Sequence, residues 1–180
     1  VCGGHEFDGP TESFDVVISC EVMEHNPYWK ETLQNMIRLL KPGGLLIMSC
    51  ATTGRREHGT SHTDSSSSPL TVDLGWDYYR NLRAKDVIRE VDLSQLSNWG
   101  FVTNLEAWDL YMLGVKAGGK VDNAARIARF KSIYRKKILP SLAHRLVFSF
   151  RHPARVKSFL TRILLRRLPA ASRANSLWFK

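Results

Sequence analysis

Between residues 20 and 25 the chain places two carboxylates and an imidazole side by side, in Cys20-Glu21-Val22-Met23-Glu24-His25. Histidine is the side chain whose ordinary pKa lies nearest neutral pH, so His25 is the natural candidate for accepting a proton here. The plainer expectation is that Glu24 and His25 cap the following helix or hydrogen-bond loop backbone. His58-Gly59-Thr60-Ser61-His62 offers two further imidazoles four residues apart. They stand in a Gly/Ser loop rather than on a helix face, with no Cys pair or carboxylate framework beside them, a pattern that speaks against zinc. The surrounding Arg55, Arg56, His58, Tyr78, Tyr79 and Arg80 could close over a sugar, carboxylate or phosphate, or they could form a solvated loop.

The elements that must position these residues can be read from pattern. Phe14-Asp15-Val16-Val17-Ile18-Ser19-Cys20 is a short β-branched run that suits a strand covered on both faces. Asn26-Pro27 then predicts a helix start, with Asn as cap and Pro at the first helical position. Trp29, Leu33, Met36, Ile37 and Leu40 form one apolar stripe at helical spacing, and Lys41-Pro42-Gly43-Gly44 should stop it. Leu45-Leu46-Ile47-Met48-Ser49-Cys50 is a second buried strand. Strand, helix and strand at this spacing make a βαβ unit with parallel strands. The polar stretch from Ala51 to Asp77 reads as a long loop, exposed around Ser65-Ser66-Ser67-Ser68-Pro69. A helix over Ala84 to Leu96 and strands at Phe101–Trp108 and Leu110–Lys116, antiparallel at the sheet edge, complete an α/β domain. The expected class is a Rossmann-like open, mostly parallel sheet followed by a basic α-helical tail.

Charge divides the chain. Residues 1–116 hold ten Lys/Arg against sixteen Asp/Glu, a balance of −6; residues 117–180 hold sixteen against the single Asp122, a balance of +15. The expected organisation is therefore a domain over 1–116 and a basic helical extension over 117–180, joined at Ala117-Gly118-Gly119-Lys120. No run of eighteen apolar residues occurs, which excludes a spanning helix. Three cysteines, Cys2, Cys20 and Cys50, are too few for a disulfide scaffold and point to a reducing compartment. With no secretory-type leader, the expected location is cytoplasmic, with the tail allowing a peripheral position on a membrane.

The pattern from Ser13 to His25, FDVV followed by EVMEH, then Leu40-Lys41-Pro42-Gly43-Gly44-Leu45-Leu46-Ile47, resembles the class I S-adenosylmethionine-dependent methyltransferases, most closely the small-molecule, type 11 branch. The resemblance covers roughly residues 1–116 and matches that family's fourth strand, following helix and fifth strand. It implies methyl transfer to a small-molecule or glycan-like acceptor, with S-adenosyl-L-methionine as cofactor. It places Gly3, Gly4 and His5 at the cofactor; ligands of open α/β sheets sit at the carboxyl ends of strands, which adds Cys20 and Glu21, and His25 is the nearby imidazole suited to act as catalytic base. Methyl transfer is an in-line displacement at a sulfonium, so the protein chiefly positions the nucleophile and removes its proton. The spacing Glu21-x-x-Glu24-His25 is also similar to that of ubiquinone-biosynthesis O-methyltransferases, which implies a minority reading of these three as Mg²⁺ ligands. The family's glycine-rich loop and ribose-binding acid have no counterpart, and Gly3 stands where the family has an Asp. The expectation is a fragment lacking its upstream third, inactive and weak in cofactor binding as it stands.

The tail completes the reading. Asn123 to Leu139 should be helical, with Ile127, Phe130, Tyr134 and Ile138 as its apolar side. From Pro153 a basic amphipathic helix carries Val156, Phe159, Leu160, Ile163, Leu164 and Leu168 opposite Arg155, Arg162 and Arg166. Such a tail suits an anionic membrane surface or a protein partner. Aromatics do not alternate with the cations as base-stacking platforms would, which argues against nucleic acid. The rival to the enzyme is a non-catalytic methyltransferase-like module that docks through this tail.

Overall fold

The computed structural model describes residues 2–119 together with 125, 127–129 and 132. All lie in the first of two compact units, Val1–Ile138 and Leu139–Lys180. The expected helix from Pro153, and most of that over 123–139, lies outside the described residues. Ala125, Ile127, Ala128 and Arg129 are helical, with Ile127 buried.

Strand β1 (Phe14–Cys20) leads through a 3₁₀ turn, Met23–His25, into helix α1 (Trp29–Leu39) and then strand β2 (Leu40–Ala51). A short helix α2 (Pro69–Asp73) interrupts the long polar segment, and α3 (Ala84–Glu90) precedes β3 (Leu96–Asn104) and β4 (Asp109–Lys116). The sheet order is β1-β2-β4-β3. β1 and β2 pair in parallel around α1, as the βαβ pattern requires. The other two pairings are antiparallel, so the sheet is mixed, and β4 is an interior strand rather than an edge. Among the described residues no helix is long and apolar enough to cross a membrane.

The core follows from periodicity. Leu46, Met48 and Cys50 alternate along β2 and are fully buried, with Met112 and Leu110 opposite Met48 and Cys50 on β4. They join Trp29, Leu33, Met36 and Ile37 of the α1 stripe, and Val87 of α3, in one cluster. The fifth stripe residue, Leu40, is also buried but belongs to β2, which begins where α1 ends. On the opposite face, Val16, Leu45, Leu113, Val115 and Ile127 line a hollow of about 270 Å³.

Three local expectations are corrected. β1 is not covered on both faces: Val17 packs against the core, while Phe14, Val16 and Ile18, alternating onto the other face, are exposed, and among the described residues β1 pairs only with β2. Helix α1 starts at Trp29, not at Pro27, because the Asn26 carboxamide is used earlier. Its Oδ1 accepts from the Tyr28 N–H (2.8 Å) and its Nδ2 donates to Thr32 Oγ1 (2.8 Å), an Asx turn rather than a helix cap. α3 stops at Glu90, where Val91 is already extended, and the chain enters β3 at Leu96. Of the three cysteines, Cys50 is buried, while Cys2 and Cys20 are exposed.

Candidate functional site

In an open α/β sheet the loops diverge at the carboxyl ends of parallel strands, and ligands bind there. Here those ends are Cys20-Glu21 and Cys50-Ala51. They are joined by hydrogen bonds: the Glu21 N–H donates to the Ser49 carbonyl (2.9 Å), Ser49 Oγ to Glu21 Oε1 (2.7 Å), and the Ala51 N–H to Glu24 Oε1 (2.9 Å). Glu21 takes φ +53°, a left-handed conformation that turns the chain sharply out of β1. The 3₁₀ turn that follows buries Met23, Glu24 and His25. A third segment closes over them: the Arg80 N–H donates to the Glu24 carbonyl (2.8 Å) and the Leu82 N–H to the Ala51 carbonyl (3.0 Å).

Glu24 is 0% exposed and His25 4%. Part of their hydrogen-bonding capacity goes to loop backbone, as the plainer expectation had it, but neither side chain caps α1. Glu24 spends Oε1 on Ala51, and Oε2 has no partner. Burial, with the like charge of Glu21 adding, pushes the Glu24 carboxyl up to about 7. The His25 imidazole donates to the Tyr78 backbone, and its Nδ1 is buried without a partner. Burial lowers the His25 pKa below its ordinary 6.5 and the neighbouring His58 lowers it further, against a smaller opposing effect of Glu21. At neutral pH His25 is therefore a neutral imidazole with a lone pair on Nδ1.

The residue that sequence spacing did not connect to this turn is His58. Its ring meets His25 edge-on at 4.9 Å, and Tyr79 completes a triangle at 5.4 Å from His25 and 5.0 Å from His58. His62, four residues on in the same loop, is exposed. Gly59 makes the approach possible: at φ +67° it accepts a left-handed conformation, and a Cβ there would stand 2.7 Å from His25 Cε1. His58 also lines a hollow of about 420 Å³ with Gly54, Arg55, Arg56, Glu57 and Trp108.

Two of the loop arginines are committed to structure. Arg55 pairs with Asp109 (2.9 Å) and donates to the Ala107 carbonyl, and Arg80 lies over the Trp29 ring at 5.6 Å. Arg56 is exposed beside the hollow. Of the residues the resemblance placed at the cofactor, Cys20 and Glu21 stand at the β1 tip, while Gly3, Gly4 and His5 lie against α1. The Gly3 N–H donates to Glu6 Oε2 (2.8 Å), and a Cβ on Gly4 would meet Thr32 Cγ2 at 2.8 Å. His5 stacks on Tyr28 (4.2 Å), with Trp76 tilted 6.3 Å away and Nδ1 buried without a partner. No periodicity marks Trp76 as part of this group.

Comparison with known proteins bears on the first part of this arrangement. Residues 2–48 match the model of a family described as methyltransferase domain, which bears out the resemblance read from β1, its turn and the start of β2. No curated protein matches the chain. Among solved structures, the chain is similar to a possible exported protein from Bordetella parapertussis, with 15% identity, a TM-score of 0.44, and coverage of 65% of this chain and 43% of that one. It is similar to Haemonchus contortus phosphoethanolamine N-methyltransferase 2 in complex with phosphomonomethylethanolamine and S-adenosylhomocysteine, at 12% identity, TM-score 0.45, covering 64% and 36%. It is similar to a possible histamine N-methyltransferase from Thermotoga maritima, at 13% identity, TM-score 0.41, covering 63% and 61%. The chain thus spans less than two thirds of the length of each.

Proposed function

We propose that the chain carries part of an S-adenosylmethionine-dependent methyltransferase that acts on a small-molecule or glycan-like acceptor, with His25 as its base. The observation that carries the reading is the buried Nδ1 of His25, left without a partner at the carboxyl end of β1 within the segment of methyltransferase kind. Burial keeps the imidazole neutral at pH 7, and the bond to the Tyr78 backbone fixes the ring with Nδ1 as the acceptor nitrogen. Such a group can take the proton that an acceptor hydroxyl or amine loses as it is methylated. Arg56 and His58, on the wall of the adjoining hollow, supply cationic and polar contacts for an oxygen-rich acceptor.

The residues present fit one end of the cofactor. The orphaned His5 Nδ1 beside the Tyr28 and Trp76 rings suits a heteroaromatic base, which offers both a π-face and ring nitrogens. Gly3, Gly4 and His5 would hold that end, with Cys20 and Glu21 at the strand tip. When bound, S-adenosylmethionine supplies an electrophilic methyl group on a sulfonium. The basic region 117–180 is proposed to engage an anionic membrane surface or a protein partner, at a cytoplasmic location.

Replacement of His25 tests the reading in the active enzyme. His25→Ala should lower kcat by roughly 10²–10⁴ and leave cofactor affinity nearly intact. A loss of thermal stability with kcat unchanged would reduce His25 to a structural residue and overturn it.

A further inference from the structure

We propose that Glu24, His25 and His58 form a binding site for a divalent transition-metal ion of the Zn²⁺ and Co²⁺ class. One ligand atom from each lies within 4.8 Å of the other two, the only such three-residue group among the described residues. Two of these side chains are buried and carry a polar atom with no partner, Glu24 Oε2 and His25 Nδ1. A buried polar atom without a partner costs free energy, so its persistence calls for an occupant.

The remaining atoms of the group are already held, as a metal site requires of its ligands. Glu24 Oε1 accepts from the Ala51 N–H, and the His25 ring is tied to the Tyr78 backbone. His58 Nδ1 lies 3.0 Å from the Arg56 carbonyl. A carbonyl can only accept, so His58 carries its proton on Nδ1 and presents a lone pair on Nε2. Each histidine thus has one nitrogen fixed by backbone and the other free to ligate.

The donor set selects the ion. Two imidazoles and one carboxylate suit zinc, cobalt and iron, whereas Mg²⁺ prefers oxygen ligands. Replacing the third donor by Glu21 would make an oxygen-rich set, but Glu21 lies outside this three-residue group and its Oε1 accepts from Ser49 Oγ (2.7 Å). Three protein ligands leave coordination positions open. His58 belongs to both the cluster and the hollow beside it, so those positions are reachable from the hollow's side. An ion and a proton compete for the same lone pair on His25 Nδ1. The proposed base therefore describes the ion-free protein, and the metal site stands whether or not the chain takes part in methyl transfer.

The test is titration of the full chain with Zn²⁺ by calorimetry and with Co²⁺ by visible absorption. The expected result is one ion per chain, with cobalt ligand-field bands. His58→Ala should weaken binding at least as much as loss of a supporting partner does, about 10-fold to 100-fold. Glu24→Gln should also weaken binding, with the Ala51 hydrogen bond kept, while Glu21→Gln leaves it within about twofold, the folding of each variant being checked by circular dichroism. Absence of binding to the native chain would overturn the proposal. So would displacement of Zn²⁺ by equimolar Mg²⁺, or binding that His58→Ala spares and Glu21→Gln abolishes.

Discussion

Two buried carboxylates, one on each side of the Arg80–Arg83 segment, have opposite fates. Asp86, in the first turn of α3, is 1% exposed and saturated. It accepts from the Arg83 N–H (3.0 Å), from Arg83 Nε (2.8 Å) and from Arg83 Nη2 (2.7 Å), with Arg80 at 4.0 Å. The Arg83 side-chain hydrogen bonds hold its pKa down to about 2. Glu24 is equally inaccessible, has one backbone donor and a vacant oxygen, and its pKa is pushed up to about 7. Both are closed to solvent, but Glu24 lies much deeper in the protein. Depth and the supply of donors together separate a carboxylate that fastens a helix from one that is poised to exchange a proton or take an ion.

The widest departure expected from this comparison is in the pH dependence of stability. The folded protein holds the Glu24 proton more tightly than the unfolded chain. Stability from this group is therefore full below pH 4.5 and declines as pH rises through about 7, by roughly 3 kcal/mol at most. Glu24→Gln should abolish the decline and leave the variant more stable than the parent at pH 8, measured by urea denaturation across pH. A variant that is less stable at pH 8 would place the Glu24 charge among stabilising interactions, with Asp86.

Asp86→Ala should act in the reverse sense. The folded-state pKa is depressed, so its contribution, screened by solvent at the half-exposed Arg83 to about 1 kcal/mol, is present above pH 3.8 and lost as pH falls through about 2. Thermal melts at pH 7 should show the variant several degrees lower, with the gap closing in acid. Equal stability at pH 7 would mean that saturation by Arg83 contributes nothing.

Gly59→Ala sharpens the contrast from the Glu24 side alone. A side chain at φ +67° costs about 1–2 kcal/mol, and its Cβ would collide with the His25 ring. We expect lower stability and a displaced His25 resonance, with the Asp86 pKa unchanged by NMR titration. Smallest of all is Glu21→Gln, which should lower the Glu24 titration midpoint only modestly, because burial rather than Glu21 is the leading cause of its rise. A fall to the ordinary carboxylate range would make the neighbouring charge, not burial, the origin of the difference.

Much of the frame was legible from short-range pattern. β1 spans the residues read from its β-branched run, and the whole apolar stripe read from Trp29 to Leu40 is buried. Helix gives way to strand at Leu40, so Lys41-Pro42-Gly43-Gly44 follows the helix end but belongs to β2 rather than to a turn before a strand at Leu45; hydrophobic periodicity and turn chemistry act over a few neighbouring residues and place such an end only nearly. Pattern could not show that Asn26 would bond Tyr28 and Thr32 instead of capping a helix at Pro27, since that choice depends on the preceding 3₁₀ turn. Nor could a β-branched run distinguish a strand covered on both faces from an edge strand with Phe14, Val16 and Ile18 exposed. That depends on what packs over each face and on what pairs along each edge.

The site divides in the same way. The sequence by itself determined that Glu21, Glu24 and His25 stand together after a strand, because they are adjacent in the chain and the strand end fixes where they lie. Only the tertiary structure decided which of them share a centre. Glu21, itself left-handed, accepts from Ser49 Oγ, and the Ala51 N–H takes one oxygen of Glu24. Gly59 lets His58 reach His25 across thirty-three positions of chain that no spacing rule connects. Side-chain chemistry is local and written in the residue type. The pairing of a histidine with a distant carboxylate is a matter of backbone path, burial and the hydrogen bonds left unmade, which arise only once the loops close over the strand ends.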